Sequence, residues 1–157
     1  MNIIKTMATA ASAAIMLMAS SCDVIIVDAE KELELEVNAN NISGKWQLME
    51  WNNATLAEGT YVYLDIVRND KTYVMYQNLD SFSGVPHVVT GSYYIETDPE
   101  LGAIIRGNYD YDSGDWAHRY VVTSLTSNQM IWVAKDDETF VQTYLRVDSI
   151  PVAPVED

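Results

Sequence analysis

The sequence predicts an all-β fold in which eight antiparallel strands form an up-and-down meander barrel. Between residues 43 and 147, short segments rich in Val, Ile, Tyr, Thr and Trp are separated by clusters of Gly, Asn, Asp and Pro. No segment keeps helical periodicity for three turns. The connections are short and polar, which favours antiparallel pairing of consecutive strands. Closure of eight such strands into a barrel removes exposed sheet edges.

The first four predicted strands each combine β-branched and aromatic residues, which suit a pleated and half-buried surface. The second follows a longer connection and places Val62, Leu64 and Ile66 on one face. The fourth begins directly after Pro86, and neither of its faces is wholly polar. In order, these strands are residues 44–51, 60–68, 71–78 and 87–97.

The last four predicted strands are separated by short stretches of turn-forming residues. Gly and Asp fill the connection before the sixth strand, Ser and Asn the next, and three acidic residues the last. In order, these strands are residues 102–111, 116–125, 129–135 and 139–147. An eight-stranded barrel encloses either packed side chains or one small ligand, and the alternation along the strands leaves both possibilities open.

The N-terminal residues have the layout of a secretory signal. Residues 1–21 carry a single charge, Lys5, and an uncharged run from residue 6 ends at the only cysteine, Cys22. Small residues directly precede that cysteine, and the segment resembles a bacterial lipoprotein signal. The resemblance implies cleavage before Cys22, lipid attachment to it, and a place in the cell envelope, in the outer membrane. The alternative is an ordinary signal peptide with an incidental cysteine.

The segments flanking the predicted barrel are acidic. Residues 22–42 carry six acidic residues against one lysine, and we interpret them as a tether after Cys22. Because Leu33, Leu35 and Val37 alternate with glutamates, a short strand or helix docked on the barrel is the competing interpretation. Residues 148–157 contain two prolines and three acidic residues and are predicted to be a loose tail.

The charge balance limits the classes of partner. The chain has 9 Lys and Arg against 23 Asp and Glu, a net charge of −14. No cluster of Lys and Arg is present to contact phosphates, so the sequence argues against nucleic-acid binding. A basic protein remains a possible partner, because opposite charge accelerates encounter.

A short motif at the start of the first predicted strand indicates a family. The run Gly44-Lys-Trp46 resembles the Gly-x-Trp signature of lipocalins and the wider calycin group, and Arg146 in the last strand matches their basic residue that covers the tryptophan. The resemblance spans residues 43–147 and is closest to lipocalin-like domains of small Bacteroidota lipoproteins. It implies a lipocalin-like barrel closed at one end by the structural pair Trp46 and Arg146. It also implies a cup at the other end, often for apolar small molecules.

The connections at the end opposite Trp46 are the candidate entrance to such a cup. In a meander barrel these connections follow the first, third, fifth and seventh strands, and the first two are the longest. Long loops at one end of a rigid barrel are where binding residues concentrate. We therefore expect the entrance to be bordered by Trp51, Leu56, Phe82 and Val85.

Residue patterns for catalysis and metal binding are weak. The run at residues 108–115 has alternating oxygen side chains but lacks the glycine and glutamate spacing of a calcium loop, so it favours a hairpin turn. His87 and His118 lie on different predicted strands without cysteine nearby, and no nucleophile elbow is present. We expect no enzyme activity, metal or cofactor. The expected function is binding of an apolar or aromatic small molecule, and the alternative is an acidic module or inhibitor that captures a basic protein.

Overall fold

The computed structural model describes residues 32–80, 85–112 and 114–153. Within these residues the chain forms one short helix and nine strands. No helix in this part of the chain has the length and apolar character required for a membrane span. In chain order, the elements are α1 (Ala39–Ile42), β1 (Gly44–Trp51), β2 (Ala54–Thr55), β3 (Val62–Val67), β4 (Thr72–Gln77), β5 (His87–Asp98), β6 (Gly102–Tyr109), β7 (Tyr120–Leu125), β8 (Gln129–Ala134) and β9 (Asp137–Val147).

Eight of the strands form a closed antiparallel barrel. From β3 to β9 each strand pairs with the next along the chain, and β1 pairs with both β3 and β9. The two-residue strand β2 pairs only with the end of β1, in the turn that follows it. The β1–β9 pairing removes the two edges that an open sheet would expose. The predicted all-β meander barrel is therefore confirmed.

The inner face of the barrel follows the alternation of apolar residues. On β3, Val62, Leu64 and Ile66 are buried, whereas Tyr63 and Asp65 between them are partly exposed. The same period of two is seen on β8, where Met130, Trp132 and Ala134 are buried, as expected when one face of a strand packs on a core. The core is a single cluster that includes Trp46, Leu48, Val62, Leu64, Ile66, Tyr73, Val89, Tyr93, Ile105, Tyr120, Val122, Met130, Trp132, Ala134 and Tyr144.

The fifth and sixth predicted strands are longer than the observed ones. The predicted strand 102–111 ends at Tyr109, and the predicted strand 116–125 begins only at Tyr120. Asp115 forms an isolated antiparallel bridge with Asn108, and the backbone N–H of Trp116 donates to Gly107 O of β6, but regular pairing with β6 resumes only at Tyr120. The β-like composition at the start of the predicted sixth strand therefore belongs to a loop.

This loop, residues 110–119, places an aromatic side chain inside the barrel. The backbone N–H of Trp116 donates to Gly107 O at 2.7 Å. A Cβ atom at Gly107 would lie 2.5 Å from Trp116 Cε2, so the missing side chain provides the space for the indole. At the tip of the loop Asp112 Oδ1 accepts a hydrogen bond from Gly114 N at 2.7 Å, as Asp residues in turns commonly do.

Residues 32–42 pack against the end of the barrel where β1 begins. Leu35 N donates to Leu125 O at 2.7 Å, and the Glu34 carboxylate accepts a hydrogen bond from Leu125 N at 3.0 Å. The Asn38 side chain caps α1, and Ile42 at its end is fully buried. This part of the segment interpreted as a tether is docked on the barrel, whereas residues 22–31 lie outside the described residues.

The start of the C-terminal tail also contacts the domain. Ile150 is buried, and the backbone turns after it, where Ala153 N donates to Ile150 O at 3.2 Å. Residues 154–157 of the segment predicted to be loose lie outside the described residues. Ile150 is an apolar residue that follows Asp148 and Ser149 and precedes Pro151, and its apolar side chain accounts for its burial.

Candidate functional site

A cavity of about 480 Å³ opens at the end of the barrel where β1 ends. Its wall contains inward-facing residues of most strands, and its mouth includes Leu79 and Asp80 after β4 and Tyr111 and His118 after β6. Leu79 and Asp80 belong to the connection after the third barrel strand, one of those predicted at the entrance, whereas Tyr111 and His118 lie in segments predicted to be strands. The barrel is therefore not filled by its own side chains at this end.

The cavity has two chemically different walls. The first half of the barrel supplies a mainly aliphatic wall, to which Trp51 of β1 adds one indole, and the second half supplies an aromatic wall. The aliphatic wall is formed by Leu48, Val62, Leu64, Met75, Leu79 and Val89. The aromatic wall is formed by Tyr109, Trp116, Tyr120, Trp132, Phe140 and Tyr144. Because successive strands run around the barrel, the two walls face each other across the cavity.

Trp132 occupies the centre of the aromatic wall. Its ring centroid lies 4.9 Å from that of Tyr144, 5.4 Å from that of Tyr120 and 6.0 Å from that of Trp116. Aromatic pairs at these separations contribute roughly 0.5–1.5 kcal/mol each beyond the area that they bury. The rings thus hold one another in place and form a preorganised surface.

A hydrogen-bond chain fixes Trp116 in the same wall. Its Nε1–H donates to Tyr73 Oη at 2.8 Å, and Tyr73 Oη donates to Asn108 O at 3.2 Å. Burial raises the pKa of Tyr73 to about 12, so this hydroxyl keeps its proton near neutral pH. The Trp116 side chain is therefore anchored through Tyr73 to β4 and β6.

The indole N–H of Trp132 differs from those of two other tryptophans. Trp46 Nε1 donates to Ile42 O at 2.8 Å, and Trp116 Nε1 donates to Tyr73. Trp132 Nε1 is buried and has no hydrogen-bond partner among the described residues. Leaving a buried donor unsatisfied costs about 1–3 kcal/mol. The aromatic wall thus contains a polar group that the protein leaves unpaired.

Two histidine–aspartate pairs lie at the mouth. His118 Nδ1 lies 2.9 Å from Asp136 Oδ1, and His87 Nδ1 lies 3.1 Å from Asp80 Oδ2. The hydrogen bond with its histidine is the main cause that lowers the pKa of each carboxyl. His118 also stacks on Phe140, with ring centroids 4.8 Å apart. The mouth is thus polar although the interior is apolar.

A buried polar pair lies deeper in the wall. Gln142 is buried on β9, and its Oε1 accepts a hydrogen bond from Tyr144 Oη at 3.0 Å. Burial raises the pKa of Tyr144, so the phenol stays neutral and acts as a donor. The contact satisfies the Tyr144 hydroxyl while its ring remains part of the cavity wall.

The opposite end of the barrel is closed by Trp46 and Arg146, which are cross-strand partners on β1 and β9. Arg146 Cζ lies 4.1 Å from the centroid of the Trp46 ring. The guanidinium also donates to the carbonyls of Asn41, Ser43 and Ser127 at 2.7–2.9 Å. The arrangement combines a cation–π contact with hydrogen bonds to two backbone segments, the end of α1 and the turn between β7 and β8.

Comparison with known families gives a match that agrees with this geometry. The sequence model of a protein family, the lipocalin-like domain, matches residues 42–132, which is more than half of the chain. The chain belongs to this lipocalin-like family. The match begins just before β1, so it includes Gly44 and Trp46, whereas Arg146 lies beyond it. Comparisons with curated proteins and with solved structures found no significant match.

The lipocalin-like barrel fits a small-molecule binding cup, because an apolar cavity at one end is what such binding requires. Proteins of this family are generally binding proteins rather than enzymes. Among the described residues, no group of three or more His, Cys, Asp or Glu side chains could hold a metal ion. The lipocalin-like site therefore offers a ligand a mostly apolar surface that includes a few polar side chains.

The residues predicted at the entrance have different positions. Trp51 lines the cavity and packs edge-on against Phe140, with centroids 5.3 Å apart. Leu56 packs against the core but does not line the described cavity, and Val85 is 75% exposed and does not line it either. Phe82, like Cys22, lies outside the described residues. The role of this set in ligand entry stays a prediction.

Most of the aromatic wall was missed by sequence reasoning. The alternation in the seventh predicted strand places Met130, Trp132 and Ala134 on one face, so it could have identified Trp132 as inward-facing. No local pattern indicates that Trp116 turns inward from a loop. Its position depends on Tyr73, which lies 43 residues earlier in the chain.

Proposed function

We propose that this protein is a lipid-anchored lipoprotein of the cell envelope whose lipocalin-like barrel binds an apolar or aromatic small molecule in its cup. The observation that carries the proposal is the cavity of about 480 Å³ between the aliphatic and aromatic walls. Ligand pockets are typically about 300–1,000 Å³ and are lined mainly by apolar and aromatic side chains. Transfer of an apolar ligand from water to such a surface is favourable at roughly 25 cal/mol per Å² of apolar area buried.

The polar mouth supports the same function. His118 and Asp136 at the rim remain partly exposed, so the site changes from hydrated to apolar with depth. A ligand that fits this gradient has an apolar body and needs no strong charge. Because the rings of the aromatic wall already contact one another, little side-chain ordering is required on binding.

The anchor is supported by the sequence, and the docked segment sets the length of the tether that would follow it. An uncharged run leads to Cys22, and nine residues separate Cys22 from Glu32. Residues 32–42 dock at the closed end of the barrel. Nine residues reach at most about 30 Å. A lipid on Cys22 would thus keep the start of the docked segment within about that distance of the membrane surface.

The alternative function, capture of a basic protein, has the net charge of −14 as its support. The aliphatic and aromatic walls have no role in that function. The geometry therefore favours the small-molecule cup.

A titration with an uncharged naphthyl ketone dye, whose emission depends on polarity, tests the cup. We expect saturable binding to the wild type with a shift of emission to shorter wavelength. Met75→Trp fills the cavity from β4 and should weaken binding at least tenfold. Val74→Trp on the outer face of the same strand is the matched control and should bind as the wild type does. Absence of saturable binding to the folded wild type, or equal binding by both variants, would contradict the cup.

A further inference from the structure

Gln142 places an amide group in the wall of the cup. On β9, Phe140, Gln142 and Tyr144 line the cavity, whereas Val141 and Thr143 between them do not. Gln142 is only 7% exposed, so its side chain faces the interior of the barrel. Buried polar groups in folded proteins are nearly always hydrogen-bonded. The oxygen and the nitrogen of this amide should therefore each have a partner.

The amide oxygen has its partner within the protein. Gln142 Oε1 accepts a hydrogen bond from Tyr144 Oη at 3.0 Å. The Tyr144 hydroxyl is buried and neutral, and its proton has no other acceptor among the described residues. Turning the amide over would leave that buried proton unpaired, which is unfavourable. The contact therefore assigns the oxygen to Tyr144 and leaves the Nε2–H₂ group for another partner.

The amide nitrogen lacks a partner in the protein and is accessible. Gln142 Nε2 makes no hydrogen bond with the described residues. Two polar side-chain atoms in this part of the chain are both enclosed by protein and unpaired, Asn108 Oδ1 and Trp132 Nε1, and Gln142 Nε2 is not one of them. It therefore keeps some accessible surface. Because the side chain faces the barrel interior and lines the cavity, that surface belongs to the cavity.

Two indoles lie beside this amide. Gln142 is the cross-strand partner of Trp51 on β1 and of Trp132 on β8, and both tryptophans line the cavity. Directly opposed residues of neighbouring strands have their side chains next to each other on the same face of the sheet. An acceptor bound to Nε2 would thus belong to a molecule whose body contacts aromatic rings.

The charges around the cavity favour an uncharged molecule. The described lining contains no Lys or Arg, and its acidic residue is Asp80. The two lining histidines, His87 and His118, are each paired with an aspartate. An anion would lose its hydration in the cavity without gaining a cationic partner. The Nε2–H₂ group offers donors only, so it does not bind a cation.

We propose that Gln142 determines the specificity of the cup, and that its Nε2–H₂ group donates a hydrogen bond to a carbonyl oxygen of an uncharged, largely apolar ligand. This inference rests on the proposed function of the cup as a small-molecule site. A site with a donor in an apolar wall discriminates against analogues without the acceptor, because those displace water from the donor and leave it unpaired.

Binding of two naphthalenes to Gln142→Met tests the hydrogen bond. The ligands are 2-acetylnaphthalene, which has a carbonyl, and 2-ethylnaphthalene, which has a similar shape without an acceptor. The substitution removes the amide and keeps a side chain of similar length. We expect it to weaken binding of the ketone about threefold to tenfold more than binding of the ethyl compound. An equal loss for both ligands would overturn the role of Gln142 and leave the cup itself intact.

Gln77→Met is the matched control. Gln77 also lines the cavity, but its Oε1 accepts a hydrogen bond from Leu79 N at 2.7 Å and its Nε2 lies 3.2 Å from His87 Nδ1. We expect its replacement to weaken both ligands by the same factor. A selective loss of the ketone in Gln77→Met alone would move the donor to the mouth and overturn the proposal. If neither naphthalene binds the folded wild type, the proposed function fails together with this inference.

A measurement on the wild type does not depend on the folding of a variant. In protein labelled with ¹⁵N at glutamine side chains, the Nε2–H₂ resonances of Gln142 should move with the ketone and move less with the ethyl compound. Those of Gln47, which does not line the cavity, should stay in place. Equal movement of the Gln142 resonances with both ligands would overturn the hydrogen bond. Tighter binding of 2-naphthoate than of the ketone would overturn the assignment of an uncharged ligand.

Discussion

Arg146 covers the indole of Trp46 and at the same time donates hydrogen bonds to three backbone carbonyls. Its Cζ lies 4.1 Å from the Trp46 ring centroid, and its Nη1 donates to Ser43 O at 2.7 Å. Trp46 is itself fully buried and donates to Ile42 O. The two side chains thus join α1, β1 and β9 at the closed end.

Replacement of Trp46 should destabilise the domain strongly. Trp46→Ala removes a fully buried indole, its hydrogen bond and the surface under Arg146, so we expect a loss of about 3–5 kcal/mol in free energy of unfolding. Urea unfolding followed by circular dichroism gives the value. A loss below about 1 kcal/mol with an unchanged m-value would show that Trp46 does not have this structural role.

Two glycines with positive φ provide a matched pair of substitutions. Gly44 has φ of 119°, and a Cβ there would lie 2.5 Å from Arg146 Nη1. Gly59 has φ of 81°, and a Cβ there would have open space. Gly59→Ala should therefore cost only the backbone strain, about 1 kcal/mol, whereas Gly44→Ala should cost about 2–3 kcal/mol. Thermal or urea unfolding compares the two, and equal losses would mean that Arg146 moves away at little cost.

Tyr120 should contribute to unfolding at alkaline pH. Burial raises its pKa to about 12, whereas an unfolded tyrosine has a pKa near 10. Between these values the unfolded chain releases the proton and the folded chain keeps it. The free energy of unfolding should thus fall as pH rises, by up to about 1.4 kcal/mol per pH unit for this group.

The variants Tyr120→Phe and Tyr111→Phe test this pH dependence. Tyr120→Phe should reduce the slope of stability against pH between pH 10 and 12. Tyr111 is 70% exposed and serves as the control, because its replacement should change the slope less than Tyr120→Phe does. Urea unfolding at several pH values provides the slopes. The same slope for the wild type and for Tyr120→Phe would contradict the assignment.

Cys22 is predicted to carry the lipid that anchors the protein. Metabolic labelling with an alkyne fatty acid in a bacterial host should tag the wild type, because cleavage before Cys22 exposes it for acylation. Cys22→Ala should lose the tag and remain unprocessed. Equal labelling of both proteins would show that the cysteine is incidental.

The barrel was predictable because its signals are local. Apolar residues at alternate positions, as in Val62, Leu64 and Ile66, follow directly from a strand with one face on the core. The boundary of β7 was not predictable in the same way. Residues 116–119 have the composition of a strand, but contacts with Gly107 and Tyr73 hold Trp116 in a loop.

The docked N-terminal segment shows a second limit of local patterns. Leu33, Leu35 and Val37 alternate in the sequence as if they shared a buried face. In the structure Leu33 is 80% exposed, whereas Leu35 and Val37 pack against the core. The docking depends on hydrogen bonds of Glu34 and Leu35 with Leu125, which lies some 90 residues later in the chain.

The presence of a cavity depends on even more distant relationships. Whether a barrel of eight strands is filled depends on the sizes of side chains that meet across it. Leu48 and Val62 come from the first two barrel strands, whereas Trp132 and Tyr144 come from the last two. No single segment contains this information, and so sequence reasoning could not decide whether a cup exists.

The pairing of β1 with β9 determines when during folding the cup can form. Arg146 and Ser43, joined by a hydrogen bond, are 103 residues apart, and closing a loop of that length costs on the order of 4 kcal/mol in chain entropy. Topologies dominated by such distant contacts typically fold in milliseconds to seconds. Gln142 and Tyr144 of the cavity wall also belong to β9. A nascent chain that lacks this last strand would therefore have an incomplete cavity wall, and the proposed ligand site would be complete only once the barrel has closed.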